Sequence, residues 1–321
     1  VGAKYAVSVS SGTAALHLAA LVAGVGPGNS IVTSPITFVA SANVALYTGG
    51  KVVFSDIDSQ SINMSPEGLK QTIKENDNIR AIIPVHFAGL PCDMLSIKLE
   101  ADKVGAIVIE DAAHAFGAKY PDDKRVGCCT HSHMTIFSFH PVKSIATGEG
   151  GMITTNDEKI YRKLLRLRSH GVNKLDDPLL LPEQAEENGS TSPWYYEMQE
   201  LGFNYRLTDI QCALGLSQLR KIEKFISRRQ ELVKNYDNAL SNMRYCRPAQ
   251  NASRDYSSHH LYVILIDFNK IGKSRSQFMK ELEGCGIGRQ VHYIPVPIHP
   301  FYRKLGFKLE NYPNAQEYYK E

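Results

Sequence analysis

The sequence predicts an α/β protein with a mostly parallel central sheet flanked by helices, followed by a smaller C-terminal α+β domain. Three observations predict it. Up to about residue 156, short β-rich runs alternate with helical patterns, the order of a doubly wound domain. Those runs are almost wholly apolar instead of alternating, as strands covered on both faces must be. The chain has 321 residues, 43% of them apolar, enough for a sizeable core and two domains.

In order, strands are expected at residues 5–9, 31–34, 52–56, 81–85, 106–109 and 135–139. Helices are expected at 13–25, 38–47, 65–75 and 94–104. Ser65 caps the third helix and Pro66 occupies its first position, where a missing N–H costs nothing. Gly24-Val25-Gly26-Pro27-Gly28 follows a helix and precedes a strand, the reverse of a dinucleotide loop, and reads as a helix C-cap and turn. Residues 171–193, rich in Asp, Glu, Asn, Pro, Ser and Gly, read as a long mobile loop, and such loops are often functional. A long helix over 208–240 then leads to a strand at 261–266, a helix at 276–284 and a strand at 289–294. Residues 1–225 form the large domain in this reading and 226–321 the small one.

Composition excludes several function classes. The 36 Lys+Arg and 33 Asp+Glu leave +3, too near neutral to argue for nucleic acid or an anionic membrane. The basic pair Arg228-Arg229 reads as a solvated helix face. No apolar run reaches the roughly 20 residues of a spanning helix, and no signal-like start is present, so the cytoplasm is the default compartment. Cysteines 92, 128, 129, 212, 246 and 285 form no C-x-x-C pair, so free thiols are expected. Cys128-Cys129-Thr130-His131-Ser132-His133 only superficially suggests a metal site, because adjacent residues of a strand point apart; no metal is expected. The chain opens at Val1 just before a strand and stops at Glu321 inside a helical pattern, so both ends read as cut.

Three motifs carry chemistry together. Ser10-Ser11-Gly12-Thr13-Ala14 lies between a strand and a helix, where unpaired N–H groups, hydroxyls and a glycine suit a phosphate; it equally suits an ordinary N-cap. Ile107-Val108-Ile109-Glu110-Asp111 places Asp111 at a strand's carboxyl end, able to hold a protonated ring nitrogen or simply to cap a helix. Phe137-Ser138-Phe139-His140-Pro141-Val142-Lys143 ends in a lysine beside a tight Gly148-Glu149-Gly150-Gly151 loop. There, desolvation can lower an amine's pKa, although a surface lysine reads the same way. Pyridoxal 5′-phosphate (PLP) requires this set: an anion cradle, a carboxylate for the pyridine nitrogen and an aldehyde-binding lysine.

With a fourth segment, Gly202-Phe203-Asn204-Tyr205-Arg206-Leu207-Thr208-Asp209, these motifs resemble, in order, the DegT/StrS group of fold-type-I, PLP-dependent sugar-nucleotide aminotransferases. Residues 139–151, 204–211 and His292-Tyr293-Ile294-Pro295-Val296 resemble the PseC type, the UDP-4-amino-4,6-dideoxy-N-acetyl-β-L-altrosamine transaminases.

The resemblance implies that Lys143 binds the cofactor aldehyde and shuttles the proton, while Asp111 keeps the pyridine nitrogen protonated. Gly12, Thr13, Ala14 and Ser138 would bind the phosphate. Asn204 would reach it from the other subunit of a homodimer with shared sites, or merely precede and cap the long helix. Phe38 would stack on the ring or lie in the core, and His114 would lie near the ring's 3-hydroxyl. Arg206, His292 and Tyr293 are substrate candidates, and His86 reads as a hydrogen-bonded structural residue.

The implied reaction is ping-pong transfer of an amino group from L-glutamate to C4 of a UDP-4-keto-6-deoxy-HexNAc, in pseudaminic-acid-type biosynthesis. Alternatives are another nucleotide-linked keto sugar, or a non-catalytic regulatory member of the fold. The sugar-dehydratase branch is disfavoured because it carries histidine where Lys143 stands. Family members also carry roughly 40 more residues before the first strand and a comparable tail.

Overall fold

A computed structural model describes residues 1–173, 178–187 and 189–321. The first half alternates β1 (Tyr5–Val9), α1 (Gly12–Val22), β2 (Ser30–Thr33), α2 (Ala40–Tyr47), β3 (Lys51–Phe54), α3 (Pro66–Glu75), β4 (Ile79–Ile83), α4 (Met94–Lys103) and β5 (Ile107–Asp111). Then follow β6 (Met134–Ser138), β7 (Gly151–Thr155) and α5 (Glu158–Arg168).

The seven strands form one sheet in the order β1-β7-β6-β5-β4-β2-β3. Strands β6, β5, β4, β2 and β3 are parallel, and β7 runs antiparallel between β1 and β6. The apolar runs find their reason here. Ile31, Ile83, Ile109 and Ile136 enter the core on one side of the sheet, and their neighbours Val32, Ile82, Val108 and Phe137 enter the core on the other. With both faces covered, period-two alternation has nothing to record.

Helix α1 is buried at every position from Ala14 to Ala20, packed between the sheet and helices α2 and α5. Helix α3 begins as expected, with the Ser65 hydroxyl accepting from Gly68 N–H at 3.2 Å and Pro66 in its first turn. Helix α5 and strand β7 were not foreseen. The run Gly151-Met152-Ile153-Thr154-Thr155 opens on a glycine and carries two polar residues, yet Ile153 and Thr155 are wholly buried between its two partners.

The second half departs further from expectation. Within 171–193 lie α6 (Pro182–Ala185) and a hairpin of β8 (Glu186–Glu187) and β9 (Ser190–Thr191). The expected mobile loop also spans residues 174–177 and 188, which lie outside the described residues. The expected helix 208–240 is two, α7 (Asp209–Leu219) and α8 (Ile222–Leu240). A tight turn, Lys221 N–H to Gln218 O at 2.9 Å, interrupts the ladder while leaving the apolar spacing nearly helical, so periodicity cannot detect it.

After α8, β10 (Cys246–Pro248) pairs antiparallel with β11 (Ile264–Ile266), the end of the strand expected at 261–266. Helices α9 (Phe268–Ile271), α10 (Arg275–Gly284), α11 (Pro300–Lys304) and α12 (Pro313–Lys320) complete the chain. The strand expected at 289–294 is absent. That segment's groups serve other contacts, with Tyr293 bonded to His114 and the His292 carbonyl accepting from Tyr318 OH.

Arg229 is not on a solvated face: its Nη1 donates to the carbonyls of His259 and His260 at 2.9 and 2.8 Å. Among the described residues, no helix is long and apolar enough to cross a membrane.

Candidate active site

The carboxyl ends of β5 and β6 and the N-terminus of α1 converge on one cavity of about 530 Å³, where open α/β sheets place their ligands. Asp111 ends β5 and is 5% exposed. Its Oδ2 accepts from Ser41 Oγ at 2.6 Å and its Oδ1 from Ala113 N–H at 3.1 Å, which aims the carboxylate into the cavity. Ser41 lies four residues beyond Thr37, whose hydroxyl is 2.9 Å away.

Behind Asp111 a second carboxylate faces the opposite side of the sheet. Glu110 is wholly buried and accepts from His86 Nε2 at 2.8 Å, from Thr135 Oγ1 at 2.9 Å, and from the hydroxyls of Tyr120 and Ser132. Burial alone would raise its pKa, but those donors pull it below the usual carboxylate value. His86 Nδ1 accepts from Cys92 N–H, leaving Nε2 as the donor to Glu110, and its backbone N–H donates to Asp111 O at 3.1 Å. His86 is thus the hydrogen-bonded structural residue expected.

At the N-terminus of α1, Ser11 Oγ accepts from Ala14 N–H at 3.0 Å, so Ala14 is occupied by the cap and lies off the cavity lining. The N–H groups of Gly12 and Thr13, which line the cavity, have no carbonyl within the helix to meet. A Cβ on Gly12 would stand 2.9 Å from Ser138 Cβ, so only glycine lets α1 approach the end of β6 this closely.

Lys143 lines the same cavity, and its ammonium makes no ion pair or hydrogen bond among the described residues. Burial lowers its pKa from the ordinary lysine value, opposed by the charge of Asp111. Phe38, 59% exposed, forms part of the wall near Tyr293. His114 is 6% exposed; its Nε2 lies 2.9 Å from Tyr293 OH, while its buried Nδ1 has no partner. Burial, reinforced by Lys143, His260 and His292, holds His114 well below the usual imidazole value. His292 is lowered by burial and Lys143, and the Tyr293 phenol is raised by burial and Asp111.

Asn204 and Arg206 are not brought to this cavity. Both are exposed, on a segment whose neighbour Tyr205 accepts from Ser10 N–H through its carbonyl at 2.8 Å and whose Asn204 bridges to Ser169. The lining also includes Ser41, His260 and Gln290, polar residues that no sequence motif singles out. Ser41 falls within the helix expected at 38–47 but in no motif, and the other two also sit in segments with no motif.

Cys129 Sγ donates to Thr154 O at 3.2 Å and His133 Nδ1 accepts from Val108 N–H at 3.0 Å, so both serve backbone groups. The residues that converge do fit PLP: a half-buried amine without a hydrogen-bond or ion-pair partner among the described residues, a fixed carboxylate, a helix end that a single methyl would fill, and an orphaned imidazole nitrogen.

A family model for DegT/DnrJ/EryC1/StrS aminotransferases matches residues 1–321. The chain belongs to this family. It is 38% identical over 323 residues to the UDP-4-amino-4,6-dideoxy-N-acetyl-β-L-altrosamine transaminase of Campylobacter jejuni, covering all of this chain and 79% of that protein. Among solved structures it is similar to Helicobacter pylori PseC, an aminotransferase involved in pseudoaminic acid biosynthesis. The TM-score is 0.87 and the identity 32%, over 100% of this chain and 80% of that one. The PLP form of Streptococcus pneumoniae Spr1654 gives a TM-score of 0.85 at 28% identity, over 99% and 81% of the two chains. As a member of the family, the chain is a sugar aminotransferase with the fold of PLP-dependent enzymes.

Proposed function

We propose that the chain binds PLP in the cavity and moves the amino group of L-glutamate to C4 of a UDP-4-keto-6-deoxy-HexNAc in two half-reactions, a pseudaminic-acid-type step. The observation that carries this reading is the half-buried, unpartnered amine of Lys143 in one cavity with the Ser41-held carboxylate of Asp111. When bound, PLP supplies an aldehyde for the migrating amino group and a ring that accepts the electron pair left on the donor carbon.

The protein does the rest. Asp111 holds a proton on the ring nitrogen, Gly12 and Thr13 with the Ser138 hydroxyl bind the phosphate, and Phe38 covers the ring. The orphaned Nδ1 of His114 donates toward the ring's 3-hydroxyl while Tyr293 fixes the imidazole plane. Lys143, with its lowered pKa, would take the proton from the donor carbon as base and deliver it as acid to the cofactor's C4′ carbon, and would carry it in the opposite direction for the acceptor.

Asn204 and Arg206 act in the cavity of a partner subunit in this reading. Their exposure supports it, as does α7, which buries none of its residues and leaves Ile210 85% exposed. The deciding experiment adds L-glutamate to the PLP-loaded protein and follows the visible absorbance, then adds UDP-4-keto-6-deoxy-HexNAc epimers and follows its return. Loss of the visible band with glutamate and its return with one epimer is the expected result; no change on adding glutamate refutes the reading.

A further inference from the structure

His260 stands apart from the residues assigned so far. It is 8% exposed and lines the cavity, with its ring 4.6 Å from that of His114. Its buried Nδ1 has no hydrogen-bond partner. A buried polar group left unsatisfied costs about 1–3 kcal/mol, so an orphan held rigidly at a cavity wall is a group built to meet a ligand.

The rigidity is explicit. Arg229 Nη1 of α8 grips the carbonyls of His259 and His260. Ser258 donates through Oγ to His114 O at 3.0 Å and through N–H to Gly89 O at 3.1 Å. Gly89 sits at φ +102°, and a Cβ there would stand 2.9 Å from His260 N, so only glycine admits the segment.

Resting on the function proposed above, we infer that His260 recognises the acceptor sugar, through a hydrogen bond between its imidazole and the C3 hydroxyl beside the reacting C4 carbonyl. Two arguments select this ligand. Lys143 must work at C4, and His260 lines the same cavity as Lys143, so it faces the atoms flanking C4. Burial, Lys143, Arg229 and His292 push its pKa down to about 3, so it offers one N–H and one lone pair. A hydroxyl, which can donate or accept, suits whichever of the two ring nitrogens meets it. A glutamate carboxylate, which only accepts, would call for a cation.

The test reads the two ligands separately. Calorimetry on the PLP-loaded protein compares UDP-N-acetylglucosamine with its 3-deoxy analogue, and absorbance follows the glutamate half-reaction. The wild type should prefer the 3-hydroxyl by about tenfold, one hydrogen bond's worth. In His260→Phe, which keeps a ring against His114, the preference should vanish while glutamate conversion stays within about threefold. His260→Asn should retain part of the preference, and serves if the Phe variant fails to fold. Persistence of the preference in His260→Phe, its absence in the wild type, or an equal loss of glutamate conversion overturns the inference. A wild type that discriminates the sugars but never responds to glutamate overturns the parent function alone.

Discussion

The Ser41 hydroxyl donates to Asp111 Oδ2 at 2.6 Å, tying α2 to the end of β5. Because Ala113 N–H takes the other carboxylate oxygen, Asp111 has no freedom to turn away from the cavity. Ser41→Ala should therefore weaken PLP binding about tenfold and leave the fold intact, since one charge-assisted hydrogen bond is worth about 1.5–3 kcal/mol. Titration of the apoprotein with PLP, beside far-ultraviolet circular dichroism, checks both halves of that statement.

Lys143→Ala should abolish the visible absorbance with PLP and cut turnover about 10²–10⁴-fold, the range for a general acid–base group. Its pH behaviour has a definite sign. Burial lowers the amine below the ordinary 10.5, so capture of PLP by the apoprotein should level off at a pH below that value. The unfolded chain holds this proton more tightly than the native one. The residue's contribution to stability therefore rises with pH between the lowered value and 10.5, and is lost below that window. Stopped-flow capture rates and denaturant midpoints across that range test the pair.

Glu110→Gln should destabilise the protein by about 3 kcal/mol, because the amide cannot accept all the donors that meet the carboxylate. The pKa of Glu110 is lowered below the ordinary 4.5, so its stabilisation is complete above that value and fades as pH falls through the lowered one. Wild-type and Glu110→Gln midpoints should accordingly converge on acidification; parallel curves would contradict the assignment.

Gly12→Ala forces a methyl group to within 2.9 Å of Ser138 Cβ. Loss of PLP affinity should exceed loss of stability, because the parts that must move are the cradle itself. Adding Ser138→Gly should recover stability by removing the clash but not PLP affinity, because it also removes a phosphate-binding hydroxyl; denaturant midpoints and equilibrium dialysis measure the two.

If Asn204 acts across a dimer, Lys143→Ala and Asn204→Ala subunits are each defective alone, and their co-expressed heterodimer regains one intact site. Recovered glutamate-dependent activity in the mixed species is the expected outcome.

Much of the large sheet was legible because burial on both faces writes uninterrupted apolar runs, as in Ile107-Val108-Ile109. Strand β7 was not, since its threonines hydrogen-bond inside the sheet and look like loop residues in a list of letters: Thr154 Oγ1 donates to Gly127 O at 2.8 Å and Thr155 Oγ1 to His133 O at 2.8 Å. Lys143, Asp111 and Gly12, which line one cavity, stand out in the sequence because each lies at a strand or helix end or in the loop just past one. His260 was invisible because its place depends on Arg229, Gly89 and His114, all distant in the chain. Asn204 and Arg206 show the reverse: the motif is plain, but one chain does not bring it to its own cavity.

In the proposed function, helix α1 presents Gly12 and Thr13 to the phosphate, and it is buried at every position from Ala14 to Ala20. A helix buried through its middle has little conformational entropy left to lose, so on that reading the N–H groups of Gly12 and Thr13 are ordered before any phosphate arrives. Anion capture then spends almost nothing on rearranging the protein, and the favourable contacts go nearly undiminished into affinity.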